Sequence, residues 1–241
     1  MTGLSDAVKT ADQAYLKNWA TLIYSMPSAG KTTLAGQAPN CLIIEIDRNG
    51  GAVLNNPLVP KTTRYIPIRD FKKVRDFVRA LRTDPLLKEV DTIVLDTLSE
   101  LQYLAQRSEL KGDLLGDSWL FNQHIYSTSN FKILEIMREI LDLGKDTIFL
   151  CHMKREKIGD GASAQVNILP DISEALLADI IAMVDGAFFL AKDNETRRLR
   201  LQTEPTIMTK SRFPKGATIL NPTFDKLLPV LNELKKKDDQ Q

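Results

Sequence analysis

Residues 21–33 read Thr21-Leu22-Ile23-Tyr24-Ser25-Met26-Pro27-Ser28-Ala29-Gly30-Lys31-Thr32-Thr33. An apolar run passes through a Pro-Ser-Ala-Gly turn into Lys-Thr and then into a helix-forming stretch. Strand, loop, Lys-Thr and helix in this order predict a phosphate-binding loop, where successive backbone N–H groups face a polyphosphate. Ser25, Met26, Pro27, Ser28, Ala29, Gly30, Lys31, Thr32 and Thr33 are the expected nucleotide contacts. Lys31 would bring a point charge to the β- and γ-phosphates, the Thr32 hydroxyl would ligate Mg²⁺, and Gly30 would let the backbone approach without a Cβ in the way. Ser25 stands where the pattern G-x-x-x-x-G-K-[ST] has glycine, and it fits there only with a negative φ. The alternative is an ordinary strand–turn–helix with a capping serine.

Working outward, residues 42–46 read as a buried strand, 64–68 as a short strand and 71–81 as a helix by the spacing of Phe71, Val74, Phe77, Val78 and Leu81. Residues 92–96 predict a second buried strand followed by a helix over 98–110, then a loop over 111–121 and a helix over 125–143. Residues 147–151 predict a third core strand ending at His152. Residues 153–171 are polar and contain glycine, which predicts a long functional or mobile loop. A helix over 172–183, a hairpin of 186–191 with 197–202 around Asp193-Asn194-Glu195, a strand at 206–209 and a helix over 223–234 complete the reading. Alternating buried strands and helices predict an α/β fold: a mostly parallel central sheet flanked by helices, with a C-terminal antiparallel hairpin addition. Residues 1–20 are expected to be a lead-in with a possible oligomerising role, residues 21–234 the core, and residues 235–241 a charged tail.

Composition narrows the functional classes. The 241 residues carry 32 Lys+Arg against 31 Asp+Glu, a formal net charge of +1. Any nucleic-acid site must therefore be a local patch. The two cysteines, Cys41 and Cys151, lie in apolar strand-like runs and are expected to be buried reduced thiols. No apolar run reaches the ~18–20 residues of a membrane span, and no secretory pattern opens the chain. A soluble chain with no membrane partner is expected.

Several side chains would act on the nucleotide. Asp96 ends an apolar strand and is expected to hold Mg²⁺ through water; helix N-capping is its alternative role. Glu100 reads as a first-turn helix acid that can also orient water. Glu45, Asp47 and Asn49 share one face if their strand runs that far, which makes them candidates for positioning the attacking water. Glu45 lies in an apolar run and needs a partner there or a proton. His152 ends the third core strand at the same sheet edge, where it can touch the γ-phosphate. Lys210 and Arg212 project from one face of an extended segment, about 7 Å apart, and either grip phosphate oxygens or sit solvated on the surface.

Together these parts resemble a RecA-type recombinase core, and more closely the phage RecA-like single-strand annealing proteins. The resemblance covers residues 20–215. It rests on Ser25–Thr32, Asp47–Gly51, Asp91–Glu100, Cys151-His152 and Lys210-Ser211-Arg212. It implies a RecA-like P-loop NTPase fold with ATP and Mg²⁺ as ligands, and single-stranded DNA as a partner bound by a filament or ring of subunits. A single-strand-binding protein becomes a candidate partner, and the cytoplasm of an infected bacterial host the expected location. By the same resemblance, the loop with Trp119 and Phe121 and the loop with Lys154, Arg155 and Lys157, then Gly159 and Gly161, would bind DNA. Lys210 and Arg212 would reach a neighbouring subunit's nucleotide. The chain departs from the relatives' Asp-x-Glu-x-Gly pattern: Asp47-Arg48-Asn49-Gly50 puts an amide at the water-activating position, so slow hydrolysis is expected. A nucleotide-switched adaptor acting on a protein partner, such as a helicase loader or packaging accessory, and a small-molecule kinase, are the competing classes.

Overall fold

The computed structural model describes residues 18–48, 50–110, 123–159, 165–202, 204–211 and 217–235. Asn49, Trp119, Phe121, Arg212, Gly161 and the lead-in before residue 18 lie outside them. The strands are β1 Ala20–Ser25, β2 Cys41–Glu45, β3 Arg64–Pro67, β4 Thr92–Asp96, β5 Asp146–Ile158, β6 Gln165–Pro170, β7 Gly186–Asp193, β8 Thr196–Arg200 and β9 Thr218–Leu220. The helices are α1 Lys31–Ala35, α2 Phe71–Leu81, α3 Leu86–Glu89, α4 Leu98–Glu109, α5 Gln123–Leu141, α6 Glu174–Met183 and α7 Phe224–Lys235, with a 3₁₀ turn at Gly50–Asn55. Sheet order is β3-β2-β4-β5-β1-β7-β8-β9. The first six are parallel, and β8 and β9 add antiparallel at one side.

Alternation along the central strands sorts the core into two layers. Leu22, Tyr24, Leu42, Ile44, Ile93, Leu95, Phe149 and Cys151 face one side, where α2, α4, α5 and α6 cover them. Ile23, Ile43, Val94, Ile148, Leu150, Phe188 and Leu190 face the other, against Leu34 and Ala35 of α1 and Phe224, Leu227 and Leu231 of α7. Both faces of a parallel sheet are thus covered, which is why its strands read as continuous apolar runs. Trp19 packs on its own domain against Phe224, with ring centroids 6.2 Å apart. Both cysteines are free and buried, and burial pushes each thiol up to about 12.

Three expectations change. The strand that begins at Asp146 does not stop at His152. It runs on to Ile158 and pairs antiparallel with β6, so the expected long loop is a two-stranded arm. Its outer residues, such as Arg155, Lys157 and Ile158, gave no core signal because they are exposed, and the strand there is defined by its backbone pairing with β6. Residues 206–209 make single bridges at Ile207 rather than a strand. Asp96 is not the cap of α4: Thr97 accepts the Glu100 N–H at 3.3 Å, a Thr-x-x-Glu start.

Glu45 is fully buried and finds the partner its apolar run demands. Its carboxylate takes hydrogen bonds from Tyr65, from Arg69 and, at 3.2 Å, from the Gly51 N–H. Arg69 also donates to the Glu45 carbonyl at 2.7 Å. The group ties β2, β3 and the 3₁₀ turn together. Removing one partner leaves a buried charge uncompensated, so Arg69→Ala should cost about 3 kcal/mol of stability in urea unfolding. Glu45→Gln, which still accepts from Tyr65, should cost less. An unchanged midpoint for Arg69→Ala would show the pair to be dispensable.

Candidate nucleotide site

Parallel strands bring their carboxyl ends to one sheet edge, where ligands of open α/β sheets lie. The register pairs Glu45 with Asp96 and Asp96 with Leu150, and Ser25 with His152. By alternation Asp96 follows Val94 and His152 follows Leu150 onto the face that α1 covers. A cleft of about 360 Å³ opens there, lined by Pro27, Ser28, Gly30, Lys31, Thr32, Thr33, Asp47, Ala52, Val53, Asn56, Asp96, His152 and Arg197.

The loop geometry accounts for its sequence. Ser25 sits in extended backbone at the end of β1, its hydroxyl donating to the Met26 carbonyl at 2.8 Å. The left-handed positions are Ser28 (φ 62°) and Gly30 (φ 96°), so serine is tolerated at 25 while glycine is needed at 30. Ala29 is buried and Met26 is exposed. Lys31 is buried, and among the described residues no carboxylate lies within ion-pair distance of it. A buried ammonium so placed favours an anion beside it.

Thr32 Oγ1 donates to Asp96 Oδ2 at 2.8 Å, and the other Asp96 oxygen is buried without a hydrogen-bond partner among the described residues. A hydroxyl beside a carboxylate with a spare oxygen suits Mg²⁺, a hard dication that keeps water and phosphate ligands. No group of three or more His, Cys, Asp or Glu is arranged to hold a metal by itself among the described residues. Phosphate oxygens and water would complete the shell. Burial is the main force pushing the Asp96 carboxyl up to about 6, against the lowering effects of Lys31 and the Thr32 hydrogen bond.

His152 Nε2 lies 3.4 Å from Asp47 Oδ2, and its backbone N–H donates to Ser99 Oγ at 3.0 Å. Burial, then the nearby Lys31 charge, hold the imidazole below its ordinary range, so it is neutral at pH 7. Asp47 and His152 therefore share the cleft wall with Lys31, Thr32 and Asp96. Glu45 is turned into the Tyr65–Arg69 cluster instead, and Glu100, whose carboxyl burial raises, does not line the cleft. Lys210 is placed elsewhere: its ammonium donates to the carbonyls of Ile181 (2.7 Å) and Val184 (2.6 Å) at the end of α6. Of the arm's cations, Lys154 donates to the Ile172 carbonyl at 2.9 Å, while Arg155 and Lys157 are exposed. Sequence reading missed Arg197. The signal was available: Arg197 precedes Leu199 by two residues in β8, and Leu199 belongs to the layer that α1 covers.

The sequence matches the AAA domain family over residues 17–213, and the chain belongs to that family. It is a P-loop ATPase domain with an α/β fold. Among solved structures it is similar to one titled "Crystal structure of the RadB recombinase", at 13% identity and TM-score 0.49, over 84% of this chain and 86% of that one. Comparison with curated proteins found no match. Among the described residues no helix is long and apolar enough to cross a membrane.

The raised Asp96 carboxyl has a stability consequence. The folded form holds the proton more tightly than the unfolded form, whose pKa is near 3.8, so stability falls as pH rises from there to about 6. Without metal or nucleotide, Asp96→Asn should therefore be more stable than the parent above pH 6, by on the order of 2 kcal/mol. The gain should vanish below pH 4. Thermal melts across pH in a chelator check this; a less stable variant at pH 7 would contradict it.

Proposed function

We propose that this chain is an ATP-binding protein that coats single-stranded DNA as an oligomer and promotes annealing or strand exchange, with slow ATP hydrolysis. The observation that carries the reading is the continuity of β5. The strand whose His152 lines the phosphate cleft is the strand that carries Arg155 and Lys157 in the arm. Alternation and pairing put Arg155 opposite Ile168 and Lys157 opposite Val166 on one face, with Lys154 on the other. A second link runs from β1: the Tyr24 hydroxyl, one residue before Ser25, reaches the carbonyls of Met208 (2.5 Å) and Ile168 (3.3 Å). Nucleotide in the cleft would thus bias both strands from which the arm is held.

The residues divide the work as follows. Lys31 and the loop N–H groups bind the phosphates. Thr32 and Asp96 would hold Mg²⁺, which would neutralise phosphate charge when bound. Neutral His152, braced by Asp47, can accept a hydrogen bond from water or donate one to a γ-phosphate oxygen. With the Glu45 carboxylate held by Tyr65 and Arg69 and an amide at position 49, no carboxylate other than Asp47 and Asp96 lines the cleft among the described residues. That supports slow turnover. Subunit contacts through Lys210 and Arg212 belong to the same proposal, and Lys210 would have to leave the α6 carbonyls to make them.

A nucleotide-switched adaptor is the second reading. It is favoured by Ile158 and Val166, apolar residues exposed at 53% and 46% on the arm, which suit a protein partner.

Binding of labelled oligo(dT), with and without a non-hydrolysable ATP analogue and read by anisotropy and light scattering, separates them. Analogue-dependent binding with particle growth is expected; growth only with added protein would favour the adaptor. Lys31→Ala should abolish the analogue's effect. Arg155→Ala with Lys157→Ala should lower the slope of log affinity against log salt by about 1.4 per bound subunit, given ~0.7 per phosphate contact on single strands. An unchanged slope would remove the arm from the DNA interface.

A further inference from the structure

The cleft has a second cation that the phosphate loop does not supply. A Cβ built on Gly30 would lie 2.9 Å from Arg197 Cζ, 3.0 Å from Nη1 and 3.3 Å from Nε. The guanidinium therefore rests against the Gly30 backbone, immediately before Lys31. Neighbouring arginines of the same strand are engaged: Arg198 faces Asp193 at 3.5 Å and Arg200 pairs with Glu204. Arg197 makes no ion pair or side-chain hydrogen bond among the described residues, yet it is half-buried on the cleft wall. Its backbone is fixed from the side. The Arg197 N–H donates to Asn221 Oδ1 at 3.0 Å, and the Asn221 N–H donates to the Arg197 carbonyl at 2.7 Å. Asn221 in turn leads into α7, whose first N–H, from Phe224, donates to Gln37 Oε1 at 3.1 Å, just beyond α1.

We infer that Arg197 is a phosphate-binding residue acting within its own subunit, a second positive contact on the polyphosphate that selects di- and triphosphates over monophosphates. The inference rests on the reading of the cleft as a nucleoside triphosphate site. Its physical basis is charge and shape. Asp47 and Asp96 also line the cleft, so Lys31 alone leaves it with a net negative formal charge that would repel a polyphosphate, and Arg197 removes that charge. A guanidinium is planar, stays charged and presents two parallel N–H donors to phosphate oxygens, and it can lie flat only where residue 30 has no side chain. Because Arg197 is carried by the antiparallel β7–β8 hairpin, the contact would also tie that addition to nucleotide occupancy.

The test is calorimetric titration of ATP, ADP and AMP, each with Mg²⁺, into the parent chain, Arg197→Ala, Arg197→Lys, Lys31→Ala and, as a same-strand charge control, Arg198→Ala. Arg197→Ala should weaken ATP binding at least tenfold and AMP binding less than twofold. Arg197→Lys should recover only part of the loss, and Arg198→Ala should match the parent. If the parent binds ATP and Lys31→Ala does not, while Arg197→Ala binds within twofold of the parent, the inference fails and the site reading stands. If the parent binds no ATP, both fall. Circular dichroism checks each fold; should Arg197→Ala not fold, Arg197→Lys decides, and parent-like ATP affinity and ATP-over-AMP preference in that variant overturn the bidentate contact.

Discussion

The hydrogen bond from Thr32 to Asp96 holds the site together. Helix α1 spans five residues, too few to persist alone in water. It stays in place because Leu34 and Ala35 pack on the sheet and because Thr32 is fastened to the end of β4, a strand separated from β1 by β5. That fastening sets the width of the cleft. It also orients the spare Asp96 oxygen, and it fixes how near Lys31 comes to His152. The Glu45–Tyr65–Arg69 cluster ties the neighbouring ends of β2 and β3 to the 3₁₀ turn that follows β2.

Much of this was legible in the sequence because buried parallel strands and amphipathic helices leave strong periodic signals. The helix at Phe71–Leu81 was readable from the spacing of five apolar residues, of which the structure buries Phe71, Val74, Val78 and Leu81, and the loop from the order of its parts. Alternation also fixes which side of the sheet Asp96 and His152 occupy, once Val94 and Leu150 are assigned to the layer under α1. What escaped was set by pairing rather than burial. The arm's outer half carries Lys154, Arg155, Glu156 and Lys157, whose pattern resembles a loop, and only the partner strand reveals it as β-structure. The 3₁₀ turn, the four-residue α3 and the three-residue β9 are too short to show a period. Arg197 is one of several arginines in a polar hairpin, and only its place two residues before Leu199, which pairs with Leu190 in the layer under α1, separates it from the rest.

One strand, β5, carries both a cleft residue, His152, and the cations Arg155 and Lys157. β5 begins in the core beside β1 and β4, passes the cleft at His152 and ends paired antiparallel with β6. Tyr24 adds a connection from the other side of the loop, because its burial and its hydrogen bonds to backbone carbonyls leave it little freedom to move independently of β6.

The most direct test of the central claim is a crystal structure with Mg²⁺ and a non-hydrolysable ATP analogue. The phosphates should lie against residues 28–33 with the Lys31 ammonium on them, and the dication between Thr32 and Asp96. Density for the analogue elsewhere, or a Lys31 side chain turned from the phosphates, would contradict it.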